Sequence, residues 1–326
     1  MYNQVSFDWF SFTLKNKSLD KVMSDLGFKS DDFESKGFGR FGYRSMICHT
    51  VYDIYVMYNG NDDMGIHVVV SGGSIKYFME CFLSSQGQAT PFDSYATDQY
   101  DDQFKHFCSY VLANGSFSRV DVNIDTDLEY MNPYAVRDRV AGKKLISYFR
   151  SWKMVENSDG SGTFYLGKRS SSSFVRIYDK AKEQGDFDSV LYRFEVQFNK
   201  MANNFMMNFM HEGLAAAFGC FVEKQMRFVD SDHTCYNDSN SEEWDEFISL
   251  IYNSRSCQYK NYIDKKRKTC LNSLFYMFSQ YNAVIDDFFR DYGDVDDFLE
   301  FMIYVSNSDN SQETLLNYIA SKGWII

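Results

Sequence analysis

Three stretches of this chain alternate with a period of two, and each puts charge on one side and apolar bulk on the other. In FSRVDVNID, Val120, Val122 and Ile124 oppose Arg119, Asp121, Asn123 and Asp125. In SSFVRIYDK, Val175 and Ile177 oppose Arg176, Tyr178 and Lys180, and in YRFEVQF the set Tyr192, Phe194, Val196 and Phe198 opposes Arg193, Glu195 and Gln197. Successive strand side chains point to opposite faces, so the pattern predicts strands of a sheet covered on one face only. A sheet with one face in solvent alternates in the same way. If these three stretches share one sheet, however, three carboxylates and a tyrosine flanked by cations gather on a single surface.

The N-terminal two-thirds reads as strands broken by a few helices. VSFDWFSFTL (Val5 to Leu14) is an aromatic-rich strand, and Ser18 is placed to cap the helix LDKVMSDLGF. CHTVYDIYVMYNG and MGIHVVVSGG are β-rich runs separated by NGNDD, a hairpin signal. Ser74 to Phe82 and Tyr100 to Leu112 have helical spacing, as does the interlude Pro133 to Phe149. GTFYLGKRS, the segment after the serine run, and SVLYRFEVQFN are expected to be neighbouring antiparallel strands. After Lys200 the spacing becomes helical, and SEEWDEFISLIY sets Trp244, Phe247, Ile248 and Ile251 on one face behind a cap at Ser241.

The expected architecture is therefore α+β, a large antiparallel sheet carrying the site, with flanking helices and a C-terminal helical region. Residues 1–228 form the sheet domain, the polar stretch 229–241 is the expected linker, and 242–326 are helical.

With a net charge of −12 over 326 residues, a general nucleic-acid coat is excluded, because sequence-independent affinity comes from cations on phosphates. The distribution is uneven. Lys143 to Lys182 holds nine Lys/Arg against three Asp/Glu, while Ala283 to Ile326 holds two against nine. No run of eighteen apolar residues and no basic-then-apolar leader appears, so a soluble, cytoplasmic protein without a membrane partner is the expectation. The seven cysteines are odd in number and contain no Cys-x-x-Cys pair, which speaks against a disulfide framework or a zinc knuckle.

Asp121, Asp125 and Glu195 are hard oxygen ligands of the kind that Mg2+ or Mn2+ accepts, with water and a substrate phosphate completing the shell. An ion held there would polarise a phosphodiester, Arg176 and Lys180 would add positive charge, and Tyr178 would be the nucleophile. A phenol has an ordinary pKa of about 10, so it needs the cations or the metal to favour the phenolate. The five histidines (49, 67, 106, 211, 233) contain no His-x-His pair, which makes the expected metal site carboxylate-based. DKKRK (Asp264 to Lys268) is either a DNA contact or a solvated helix face.

The run GTFYLGKRSSSSFVRIYDKAKEQ…LYRFEVQF resembles the signature of the replication initiation factor family, in which a Gly-Thr-x-Tyr-x-Gly-x-Arg-x-Ser strand precedes an Arg-x-Tyr-x-Lys strand and an Arg-x-Glu strand. SRVDVNID is similar to its Arg-x-Asp-x-x-x-Asp strand, and MGIHVVVSGGSIKYF to its Gly-x-His and Ser-Gly segment. The resemblance implies a rolling-circle replication initiator that nicks one strand at an origin hairpin, leaving a 5′-phosphotyrosine adduct and a free 3′ hydroxyl. By position it implies Tyr178 as nucleophile with Arg176 and Lys180, and Asp121, Asp125 and Glu195 around the metal. DNA contacts are then expected from Arg119, Lys168, Arg169, Lys182 and Arg193. The same chemistry would serve a conjugative-element relaxase at a transfer origin, and a non-catalytic DNA-binding regulator is the alternative of another class. No Gly-x-x-x-x-Gly-Lys-Ser/Thr loop is present, so a separate helicase is an expected partner, as is a second copy in a homodimer.

Overall fold

The computed structural model describes residues 4–88, 92, 98–231 and 238–253, together with 297, 300, 304, 321 and 322. The chain divides into two units, Met1–Lys260 and Asn261–Ile326. The first unit holds, in order, β1 (Val5–Leu14), α1 (Leu19–Asp25), β2 (Phe33–Lys36), β3 (Ser45–His49), β4 (Ile54–Tyr58), β5 (Ile66–Ser71), α2 (Ile75–Ser85) and α3 (Asp98–Asn114). After β6 (Gly115–Thr126) come α4 (Pro133–Ala141), β7 (Leu145–Ser147), β8 (Trp152–Glu156), β9 (Gly162–Leu166), β10 (Ser173–Asp179) and α5 (Lys180–Glu183). Then follow β11 (Tyr192–Phe198), α6 (Ala202–Glu212), α7 (Leu214–Gln225), β12 (Met226–Phe228) and α8 (Glu242–Tyr252).

Ten of the strands make one antiparallel sheet in the order β2-β3-β4-β5-β1-β6-β11-β10-β9-β8, and β7 pairs with β12 separately. The mixture of helix and a large antiparallel sheet is the expected class. One sheet face is apolar. Its Phe10, Phe12, Phe117, Val120, Val122, Ile124, Val175, Ile177, Phe194 and Val196 are buried together with Phe78, Phe107, Phe209, Phe218 and Phe247 from the helices. The Phe107 ring lies between 5.1 and 5.9 Å from those of Phe10, Phe12, Phe78, Phe82 and Phe117. Burying each such side chain contributes about 1.5–3 kcal/mol, so the helices clamp this face and leave the other available for chemistry.

Both expected caps form: Ser18 accepts from the backbone N–H of Lys21, and Ser241 from that of Trp244. Three expectations need correction. The helix from Pro133 stops at Ala141, because Gly142 turns its N–H back to Asp138 O and Lys143 takes φ +59°; β7 follows instead of more helix. CHTVYDIYVMYNG is two strands, β3 and β4, split by a turn in which the Ile54 N–H reaches Tyr52 O. Lys180 opens α5 rather than ending a strand, since the Asp179 carboxylate caps that turn through the Lys182 N–H. At the ends of the stretch 229–241 a backbone bridge joins Val229 to Asn240, and α8 buries Trp244, Phe247, Ile248 and Ile251 in the core of the first unit. The later helices of the C-terminal region, the DKKRK stretch, His233 and Cys235, Cys257 and Cys270 lie outside the described residues.

Candidate active site

The strand register turns the alternating sequence into a grid. On the polar face, Asp125 of β6 stands opposite Arg193 of β11, which stands opposite Tyr178 of β10, which stands opposite Thr163 of β9. One row over, the series runs Asn123, Glu195, Arg176, Tyr165 and Lys153. Asp121, Gln197 and Phe174 form a third row. The central strands β6, β11 and β10 thus bring Asp121, Asp125, Arg176, Tyr178, Arg193 and Glu195 onto one surface.

Arg176 is the hub. Its Nη2 donates to Asp121 Oδ2 at 3.0 Å and also to Glu195 Oε1. Arg119 closes on Asp121 from the other side, Nε to Oδ1 at 2.8 Å with a second bond from Nη2 to Oδ2, while its guanidinium lies 4.5 Å from the Trp9 ring centre. The Tyr178 hydroxyl donates to the other oxygen of Glu195, Oε2, at 3.3 Å. That is longer than usual for an O–H···O bond.

A second group lies beside the first. Arg193 grips Asp125 with two bonds, Nε to Oδ1 at 2.6 Å and Nη2 to Oδ2 at 2.7 Å, and its Nη1 donates to Asp8 at 2.7 Å. Asp8 did not emerge from the alternating stretches. It is the extra residue of a bulge in β1, where the register against β6 shifts between Phe7 and Trp9. A sequence signal for it existed: the buried phase of β1 switches from Val5 and Phe7 to Phe10, Phe12 and Leu14 across Asp8.

Burial and charge set the protonation states. Glu195 is 1% exposed, and burial, helped by Asp121 and Asp8 and opposed chiefly by Arg176, pushes its carboxyl up to about 7. The Tyr178 hydroxyl is held well above its ordinary 10, by burial first and then by the Glu195 carboxylate, with Arg193 opposing. Of the cations expected to favour the phenolate, Arg193 acts in that direction, and burial outweighs it. Burial thus favours the neutral phenol at Tyr178 and raises the carboxyl that accepts its hydrogen bond.

The three expected metal ligands do not converge. Asp121 and Glu195 meet at one guanidinium nitrogen, whereas Asp125 is turned to Arg193, and no three His, Cys, Asp or Glu among the described residues stand together as an ion would need. The donor chemistry nevertheless suits a hard cation, because among the described residues the four carboxylates of Asp8, Asp121, Asp125 and Glu195 are paired with three guanidiniums, those of Arg119, Arg176 and Arg193.

The expected DNA-contacting cations separate into two kinds. Arg119 and Arg193 are committed to carboxylates. Lys182 reaches Asp179 and the Gly160 carbonyl, and Lys180 pairs with Glu183 while its Nζ stays 5.9 Å from the Tyr178 ring centre. Lys168 and Arg169 are exposed just beyond β9. His67 is buried against Thr13 with its ring pushed down to about 4 by that burial, and His49 bonds the Tyr77 hydroxyl.

Residues 115–303 match the family model described as replication initiation factor. Residues 4–92 match the model described as rolling circle replication initiation protein N-terminal domain. Among solved structures, the chain is similar to the rolling circle replication initiator protein from Geobacillus stearothermophilus, at 21% identity and a TM-score of 0.64. That similarity covers 79% of this chain and 99% of the other, and at this identity it is a likeness of fold. No curated protein matches the chain. No helix among the described residues is long and apolar enough to cross a membrane.

Proposed function

Because this chain belongs to the replication initiation factor family, we propose that it starts rolling-circle replication by nicking one DNA strand with Tyr178. The observation that carries this reading is the bond from the Tyr178 hydroxyl to Glu195, a carboxyl held near neutrality beside a guanidinium. A buried phenol far above its ordinary pKa is inert until a base takes its proton as it attacks. Glu195 Oε2 is that base. The Tyr178 oxygen bonds to phosphorus, its proton passes to Glu195, the bond from phosphorus to the 3′ oxygen breaks, and that oxygen is protonated from solvent. The 5′ phosphate stays on the protein as an aryl diester, and the free 3′ hydroxyl can prime synthesis.

Arg176 sits between Asp121 and Glu195, where it orients the base and presents positive charge to the phosphate. Lys180, stacked near the Tyr178 ring, adds a second cation. Mg2+ or Mn2+ would be held by Asp121 and Glu195, with Asp125 joining only on release from Arg193. Bound there, the ion would polarise a non-bridging phosphate oxygen and offset developing charge. DNA is the substrate in this reading, and without a phosphate loop in the sequence the unwinding falls to a separate helicase.

The test is conversion of a supercoiled plasmid carrying the DNA that flanks the gene. Wild-type protein with manganese should yield the open circle, and Tyr178→Phe should not. Nicking by Tyr178→Phe at the wild-type rate would end the proposal.

A further inference from the structure

The cations at the centre of the polar face are all spoken for, whereas those at its β8–β9 side are not. Arg150, Lys153, Lys168 and Arg169 are exposed, and none forms a side-chain hydrogen bond or ion pair with any described residue. Three of them, Lys153, Lys168 and Arg169, line one open cleft of about 390 Å³, and Arg150 and Lys168 line the cleft beside it. Unpaired cations around a concavity, in a chain of net charge −12, mark where an anion is received.

The lining of the cleft is aromatic as well. Tyr165 is half-buried and stands directly opposite both Arg176 and Lys153 in the register, so it shares the face of the catalytic tyrosine. Phe174, two residues before Arg176 on β10, lies beneath the Arg176 guanidinium and also lines the cleft. Gly167 bends the chain out of β9 with φ +85°, and a Cβ there would come within 2.9 Å of Phe149. That backbone turn carries Lys168 and Arg169 to the rim above Tyr165. Lys153 is two strands from β10, about 10 Å across the sheet from the Arg176 position.

We infer that this cleft is a subsite for one unpaired nucleotide of the strand being cut, with its base on Tyr165 and flanking phosphates on Lys153, Lys168 and Arg169. The inference rests on the strand-nicking reading for its choice of ligand, and it adds where the strand runs beside the nucleophile. The base must be unpaired, because the cleft offers a ring to stack on and a duplex keeps its base faces stacked inside. Sequence-tolerant binding of single strands combines these two features, a cationic track and an aromatic platform. Volume is consistent too, since 390 Å³ falls in the range of sites for small organic ligands.

The experiment measures binding without cleavage, using Tyr178→Phe protein in EDTA, fluorescein-labelled oligo(dT), and a fully abasic deoxyribose-phosphate strand of equal length. Adding Tyr165→Ala should weaken oligo(dT) binding about 5- to 150-fold, the range for loss of one stacked base, and leave the abasic strand unchanged. Tyr165→Phe should bind as its parent does. Replacing Lys153, Lys168 and Arg169 together by Ala should weaken both strands and reduce the slope of log K against log salt by about 2, at ~0.7 per phosphate contact. An unaltered salt slope in the triple variant, or equal effects of Tyr165→Ala on the two strands, would overturn the subsite. Since no covalent step enters, the result stands whether or not Tyr178 forms an adduct.

Discussion

Tyr178 and Glu195, on the adjacent strands β10 and β11 but offset by two residues, one step along the same face, share a hydrogen bond at 3.3 Å in which the phenol donates to Oε2. Oε1 of the same carboxylate faces Arg176. In the proposed mechanism Glu195 is divided between two tasks, one oxygen for the proton of Tyr178 and the other for positive charge. Its carboxyl, pushed up to about 7, is matched to accepting a proton at neutral pH.

The first prediction concerns pH. A base works only when deprotonated, so the nicking rate should rise with pH through about 7 and level off above it. Glu195→Gln should lower the rate by about 10²–10⁴-fold and flatten that rise. Stability runs the other way. The folded-state pKa lies above the ordinary 4.5, so the contribution of Glu195 is complete below 4.5 and is lost as pH rises to about 7. Relative to wild type, the melting temperature of Glu195→Gln should therefore gain steadily across that window.

Asp8 should tune the base from a distance. Its charge is one of those that raise the Glu195 carboxyl, so Asp8→Asn should move the rising limb of the pH–rate profile to lower pH. A profile unmoved by the substitution would show that the bulge in β1 serves only to anchor Arg193.

Much of this site was legible in the chain itself. The two-residue alternation in Arg119–Asp125, Arg176–Tyr178 and Arg193–Gln197 placed the right side chains on one face, because the pleat leaves strand residues no other choice. The pairings were not legible. An arginine on a strand can meet any carboxylate within reach, and only the register shows that Arg193 takes Asp125 while Arg176 takes Asp121 and Glu195. Asp8 escaped because a bulge, not alternation, turns it to this face. Strand β8 escaped because WKMVE is a five-residue edge strand, exposed or half-exposed throughout, whose apolar phase is only Trp152 and Met154. Lys180 looked like a strand residue until the Asp179 cap made it the start of a turn.

Removal of Arg193 should be costly for stability. Its side chain is 10% exposed and holds both Asp125 and Asp8. Arg193→Ala leaves two carboxylates facing each other without a cation, and urea unfolding should show a loss of about 3–5 kcal/mol. A loss below 1 kcal/mol would mean that the pair is solvated in solution.

Gly167 should resist replacement. With φ +85° and Phe149 within 2.9 Å of an added Cβ, Gly167→Ala should cost about 1–3 kcal/mol. It should also lower affinity for oligo(dT), because the same turn sets Lys168 and Arg169 at the cleft.

The proposed ion separates two ligand sets. EDTA should abolish nicking, and manganese should restore it. Asp121→Asn should raise the manganese concentration needed for half-maximal rate more than Asp125→Asn does, since Asp125 is already clamped by Arg193. The reverse order would place the ion farther along β6, at the Asp125–Arg193 end of the face.

The central claim, that residue 178 becomes covalently joined to cut DNA, is reached most directly by mass spectrometry. Protein incubated with manganese and a hairpin oligonucleotide from its own replicon, then digested with protease and nuclease, should yield a peptide containing Tyr178 that carries a 5′-phosphonucleotide. The same mass addition on any other tyrosine, or cut DNA with no modified peptide at all, would contradict the account.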